Sequence, residues 1–301
     1  MVATHPRTIL GKIAAGISAA LEARVRSGAP AGTRAAQLAS GPGWKASDVI
    51  CTAGPRDRVF EEQHRGPAVA AVVAGTFQYR TTRGLHLMTP GSLFLGNPSE
   101  CFECGHDHAA GDRCVSFQFS PEFVDRLAVD LGERRATFAA SRVAPARASS
   151  EVIAGVTAAL AGGAISWEEA AIGVASLALR TGNSDSRFSK APARDTLERV
   201  THAVREIERD PSAELELRTL AAAAELSPFQ FLRAFRQATG TTPHQYVLRM
   251  RLRESAASLR ETDRTIGELA LRCGFNDLSN FNHTFRAEFG MSPRAYRAVN
   301  G

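Results

Sequence analysis

The sequence has no long apolar run. Its longest, such as Ala68 to Ala74, fall far short of the roughly 20 residues that a membrane-spanning helix needs. Cysteine is scarce and odd in number, five in 301 residues, which argues against a disulfide-stapled secreted scaffold. No unbroken apolar core follows the amino terminus, where Lys12 precedes small residues, so no signal peptide is expected and the cytoplasm is the default location. A nucleophile elbow and a Gly-rich phosphate loop are both missing, so neither nucleophilic hydrolysis nor phosphate cradling is expected. Acidic residues are in deficit, 31 against 36 Lys and Arg, and the pI near 9.2 suits a polyanionic partner. What is present, 44% hydrophobic and 22% charged residues, is the composition of a globular chain. Its length exceeds what one compact core needs, so two domains are expected.

Residues 1–43 are rich in Ala, Gly, Ser and Arg, with no acidic residue before Glu22. Ile9, Ile13, Ile17 and Leu21 recur four apart and suit one side of a helix. The stretch as a whole reads as an N-terminal extension, a tail or the product of an upstream start. From about Trp44 to Phe119 the period becomes two: Phe77 and Tyr79 alternate with Gln78 and Arg80, and Val115, Phe117 and Phe119 with Ser116 and Gln118. Turn signals at Arg83-Gly84, Pro90-Gly91, Gly96-Asn97-Pro98 and Gly111-Asp112 punctuate these strands, which predicts a small antiparallel barrel or jelly roll. Thr89 to Leu95, then Asn97-Pro98, looks like the strand entry of a cupin barrel. Ser120-Pro121-Glu122 opens a helix. Two more are expected over Ser149–Leu160 and Ser166–Arg180, with Ala-rich faces suited to the barrel or to a second subunit. The polar, breaker-rich run 181–192 reads as a linker. The expected organisation is α+β: an extension at 1–43, a cupin-like antiparallel β-barrel with following helices at 44–180, the linker, and an all-α domain at 193–301.

The last third contains a repeat. Leu217, Leu220, Phe235, Gly240, Pro243 and Tyr246 recur as Ile266, Leu269, Phe285, Gly290, Pro293 and Tyr296, with a one-residue length difference near the turn. Each copy reads as a short helix, a tight turn and a second helix. Phe231 and Phe235, or Phe281 and Phe285, face inward, leaving Gln230, Arg233 and Arg236, or Ser279, Asn282, His283 and Arg286, outside. This is a helix-turn-helix suited to the major groove, and two copies are expected on either side of a linking helix from Pro243 to about Glu261. From Leu226 to the end there are eleven Arg, no Lys and six acidic residues, a net of +5, whereas residues 193–225 carry a net of −3. Phosphates are the natural counterpart of that concentration.

Over about Thr196 to Tyr296 the sequence resembles the AraC/XylS family of bacterial transcription regulators, most specifically from Thr265-Ile-Gly-Glu-Leu-Ala through Phe285-Arg286 to Gly290-Met-Ser-Pro293 and Tyr296. The resemblance implies sequence-specific double-stranded DNA binding, a cupin-like effector or dimerisation domain, a homodimer, and RNA polymerase as a partner if the protein is an activator. It implies base-facing positions at Phe229, Gln230, Leu232, Arg233 and Arg236 in the first unit and Leu278, Ser279, Asn282 and His283 in the second. Arg233 is the best guanine reader, Asn282 suits adenine, and Arg236 suits phosphate. His283 stands where the family often has Arg, and Glu225 where many members have Gly.

The other unusual feature is Cys101-Phe-Glu-Cys104-Gly-His106-Asp-His108, with Cys114 beyond it. On an extended chain Cys104, His106 and His108 share a side, and Cys101 or Cys114 would complete a transition-metal site. Three readings stand: buried cysteines with loop histidines, a metal site, and a thiol switch. No catalytic residues are expected. The alternative to a regulator responsive to a metal, oxidant or small ligand is a cupin-type metalloenzyme fused to a DNA-binding module.

Overall fold

The computed structural model describes residues 8–163, 166–182, 193–262 and 264–300. Most of the expected linker, 183–192, lies outside these. Two antiparallel sheets form the first half. One has six strands in the order β1 (Thr33–Gly41), β2 (Trp44–Cys51), β9 (Asp112–Phe119), β4 (Ala68–Gly75), β7 (Leu93–Gly96) and β10 (Arg142–Val143). The other has four: β3 (Phe60–Gln63), β8 (Cys101–Gly105), β5 (Phe77–Thr81) and β6 (Gly84–Met88). This is the α+β architecture expected, with the antiparallel sheets in the first half and helices in the second.

Alternation sorts the strands into two cores. Val69, Ala71 and Val73 of β4 join Val115, Phe117 and Phe119 of β9 in a core beneath the helices, while Ala70 and Val72 turn the other way toward Tyr79, Phe102, Cys104 and Cys114. The apolar face of β9 is therefore the outer one, covered by helix, and its Ser116 and Gln118 face the space between the sheets.

The expectation of an N-terminal extension is not met over residues 8–43. Thr8 caps helix α1 (Ile9–Ser27), whose Ile9, Ile13 and Ile17 are buried in the core shared with β4 and β9. β1 pairs with β2 from Thr33↔Cys51 to Gly41↔Trp44. The four-residue isoleucine spacing finds its partner in the outer face of a sheet whose strands lie far along the chain. Both ends of α1 are pinned. The N–H groups of Ile9 and Leu10 donate to the two carboxylate oxygens of Glu254 at 2.9 Å, and Arg24 grips Asp57 through two nitrogens at 2.7 and 2.8 Å.

Helices α2 (Pro121–Leu131), α3 (Arg147–Leu160) and α4 (Trp167–Arg180) follow the barrel. The Ala-rich faces of α3 and α4 are used within the chain: Ile153, Val156, Ala171 and Ala175 join the outer barrel core, and Ala154 enters a C-terminal core.

The C-terminal half comprises α5 (Arg194–Arg209), α6 (Leu217–Ala223), α7 (Pro228–Thr239), α8 (Pro243–Glu261), α9 (Ile266–Arg272), α10 (Leu278–Phe289) and α11 (Pro293–Asn300). Two cores divide it. Tyr246 and Met250 of α8 pack with α5, α6 and α7, whereas Leu252, Ala256 and Leu259 of the same helix pack with α9, α10 and α11. The linking helix is thus common to both repeats, as expected.

Candidate nucleic-acid interface and barrel cavity

The two repeats are built alike. Phe231 and Phe235 lie 5.6 Å apart with Tyr246 against Phe235; Phe281 and Phe285 lie 5.6 Å apart with Tyr296 against Phe285. In the first turn the N–H of Leu226 donates to Ala221 O and that of Glu225 to Ala222 O; in the second, Phe275 donates to Ala270 O and Gly274 to Leu271 O. Glu225 matches Gly274, and both are left-handed, with φ of 51° and 85°. The departure at Glu225 therefore leaves the turn intact and carries the steric cost of a Cβ there, about 1–2 kcal/mol. The length difference is Asn276. Ser227, which caps α7, follows Leu226 directly, whereas Asn276 stands between Phe275 and Asp277, which caps α10.

The positions expected to face bases lie on the open side of the two second helices. Phe229, Gln230, Arg233 and Arg236 are exposed and Leu232 is half-buried; Leu278, Ser279, Asn282 and His283 are all exposed. Phe229 is 76% exposed and Leu278 48%, so each displays an apolar surface suited to a thymine methyl. Gln230 has a prior engagement, since its Oε1 accepts the Ser227 N–H at 3.1 Å in a capping box.

The arginines divide by role. Arg233, Arg236, Arg264, Arg286 and Arg294 face solvent. Arg251 is a clamp, donating to Pro211 O, Gly274 O and Ala213 O at 2.7, 2.8 and 2.9 Å, and it joins the loop after α5 to the second turn. Arg253 is fully buried, and desolvation lowers its pKa to about 10.

The far ends of both second helices rest on the first half of the chain. Arg142 donates to Ala238 O of α7 at 2.9 Å. Glu288 of α10 accepts from Ser150 of α3 and from Arg249 of α8, the latter at 3.0 Å. Arg205 of α5 donates to Gly111 O at 2.5 Å and to Ala110 O at 3.0 Å.

Between the two sheets lies a cavity of about 1000 Å³ with a mixed lining, apolar at Phe60, Phe77, Phe94 and Phe102 and polar at Gln63, His64, His106 and Asp112 among others. It separates the cysteine and histidine cluster. Cys104, His106 and Cys114 line it, but Cys101 is exposed. The His108 ring turns instead toward Glu198 of α5, at 4.0 Å. The shared side expected of Cys104, His106 and His108 fails at His108 because β8 ends at Gly105 and the alternation stops. In place of Cys101 and His108 the structure brings Cys51 and Asp112 to His106. His106 Nε2 lies 2.7 Å from Asp112 Oδ2, and the Cys114 thiol donates to Asp112 Oδ1 at 3.3 Å. Burial opposes the His106 imidazolium, but the Asp112 carboxylate and the Cys51 sulfur outweigh it and raise its pKa to about 9. Burial also pushes the Cys104 and Cys114 thiols well up. Sequence reasoning missed Cys51 and Asp112 because no local spacing joins them; they meet through strand register, Cys51↔Asp112.

The helix-turn-helix domain family matches residues 220–298. The probable transcriptional regulator LumQ of Photobacterium leiognathi is 36% identical over 91 residues, 30% of this chain and 37% of LumQ. The transcriptional activator RhaS of Enterobacter sp. (strain 638) is 40% identical over 84 residues, 28% of this chain and 30% of RhaS. An AraC-type transcriptional regulator structure from Chromobacterium violaceum is 33% identical, covering 33% of this chain and 89% of that one, with a TM-score of 0.32. The chain thus spans only about a third of the curated relatives it matches. Within that span, the C-terminal region of this chain carries a helix-turn-helix domain of the AraC type.

Proposed function

We propose that the protein is a sequence-specific double-stranded DNA-binding transcription regulator whose barrel domain senses a ligand. The observation that carries the reading is the pair of equivalent helices, α7 and α10, which bury Phe231 and Phe235 and the matching Phe281 and Phe285 and expose their N-terminal polar positions. In this reading Arg233 donates two bonds to guanine, Asn282 pairs with adenine, and Arg236 and Arg286 hold phosphate. The cavity between the sheets is of a size to take a small effector. RhaS is named an activator, and activation through RNA polymerase is the corresponding role here; a second copy of the chain would supply a second pair of reading helices. Such a role is exercised in the cytoplasm.

The test is selection of bound duplexes from a random pool with the full-length protein, followed by affinity measurements at two salt concentrations. Arg233→Ala should cost about 1–3 kcal/mol on the selected site and relax preference at one base position. Arg236→Ala should weaken binding to all duplexes alike and flatten the salt dependence. If no duplex is enriched, or if Arg233→Ala leaves the selected motif unchanged, the reading fails.

A further inference from the structure

The cavity holds a donor set that DNA reading does not use. Cys51 ends β2 and Asp112 opens β9, and their pairing puts both side chains on the face that looks between the sheets. His106 reaches them from just beyond β8, on the opposite sheet. One sulfur, one imidazole nitrogen and one carboxylate oxygen lie within 4.8 Å of one another, and all three residues are buried. The geometry points to a site for one divalent cation of the zinc class, held by Cys51, His106 and Asp112, with the fourth position left open. This is not the set that the spacing of Cys101 to Cys114 suggests, since Cys101 and His108 lie elsewhere.

Four observations converge on it. The His106 side chain is 1% exposed, yet its Nδ1 has no hydrogen-bond partner among the described residues. A metal ion on that nitrogen would displace its proton and satisfy a buried polar atom that otherwise lacks a partner. The ring is held by stacking on Phe77, with centroids 6.0 Å apart, and by Asp112. The Cys51 sulfur accepts the Ala53 N–H at 3.5 Å, which fixes its direction. The Cys114 thiol donates to Asp112 Oδ1 at 3.3 Å and so orients that carboxylate from outside the three-donor group. Bonds of 2.0–2.3 Å place tetrahedral donors about 3.3–3.8 Å apart, so side-chain closure of about 1 Å brings these three donors to that spacing. Mixed sulfur, nitrogen and oxygen donors exclude calcium and magnesium and select zinc or a neighbouring transition metal.

The position also fits a signal. Asp112 directly follows Gly111, whose carbonyl Arg205 of α5 grips, and α5 packs against α7 in the first reading unit. The inference deepens the sensor reading by naming a cation as the ligand, but its test needs no DNA, so the two fail separately.

Full-length protein is stripped with chelator and titrated with Co²⁺, then Zn²⁺. One Co²⁺ per chain is expected, with a thiolate-to-cobalt charge-transfer band that Zn²⁺ abolishes. Cys101→Ser should keep this behaviour. Cys51→Ser and Asp112→Asn should each weaken Co²⁺ binding by at least about tenfold. Should these variants not fold, the wild type still decides: Zn²⁺ should slow iodoacetamide modification of Cys51, mapped by mass spectrometry. Absence of Co²⁺ uptake by the wild type, unchanged affinity in a folded Cys51→Ser protein, or Cys51 modified at the same rate with and without Zn²⁺ each overturns the site.

Discussion

Glu225 and Gly274 show how two copies of one turn diverge. Both occupy the left-handed region, but the surroundings differ. A Cβ on Gly274 would lie 2.8 Å from Ser212 O and 2.9 Å from Ser212 Cα, so the second turn admits only glycine. The first turn accommodates a side chain, and Arg199 gathers it: its guanidinium donates to Ala224 O and Glu225 O and pairs with the Glu225 carboxylate at 3.2 Å. That carboxylate is largely exposed, so the pair adds little. Glu225→Gly removes the left-handed strain and keeps both backbone acceptors for Arg199. It should stabilise the protein by up to about 1 kcal/mol, the strain relief being partly offset by the entropy that glycine adds to the unfolded chain. Thermal unfolding checks this: an unchanged or lower midpoint would mean that the ion pair outweighs the backbone. The identity of this residue was legible as a departure, but its consequence was not, because the outcome depends on Arg199 from another helix.

Among the elements, α1 has the clearest consequence for stability. Ile13 is 4% exposed in the outer barrel core, so Ile13→Ala should cost about 2–5 kcal/mol. A dispensable tail would show no change in a denaturant titration. The far end of α1 gives a pH dependence. The hydrogen bond from Arg24 holds the Asp57 carboxyl below its usual range, against some opposition from burial. A depressed carboxylate contributes stability above its unfolded pKa, near 4, and loses it as pH falls through the folded value. The difference in midpoint between wild type and Asp57→Asn should therefore be largest near neutrality and shrink below about pH 4. The repeats were legible because their landmarks lie close together in sequence: Ser227 and Asp277 cap the second helices, and Phe231 and Phe235, or Phe281 and Phe285, fall four apart on their inner faces. α1 and β1 were not, because the isoleucine stripe has meaning only against β4 and β9, and Thr33–Gly41 is mostly exposed with no apolar alternation. Cys51 and Asp112 belong to the same class, joined by a pairing across about sixty residues of chain.

At the scale of the whole molecule the two halves share an interface that touches both reading units at their C-terminal ends and leaves their N-terminal ends open. Arg142 holds α7 through Ala238 O, while Ser150 and Arg249 hold α10 through Glu288. Tyr246 of α8 donates to Pro90 O at 3.4 Å, and Glu254 caps α1 from the same helix. Neither set of exposed positions is covered by this docking, which ties the two second helices to one support. Binding by two units held in one arrangement avoids the ordering cost that two loosely joined units would meet on the duplex. Loosening the dock should accordingly weaken binding where both units must engage and spare binding through one. For Glu288→Ala, which releases Ser150 and Arg249, the expected loss is about three- to tenfold on duplexes carrying both half-sites, with little change on duplexes carrying one. Fluorescence anisotropy on the two duplex types separates the outcomes. Equal losses on both would place the effect in the folding of the second unit, and tighter binding on the two-site duplex would mean that the dock restrains the helices in an arrangement the DNA must break.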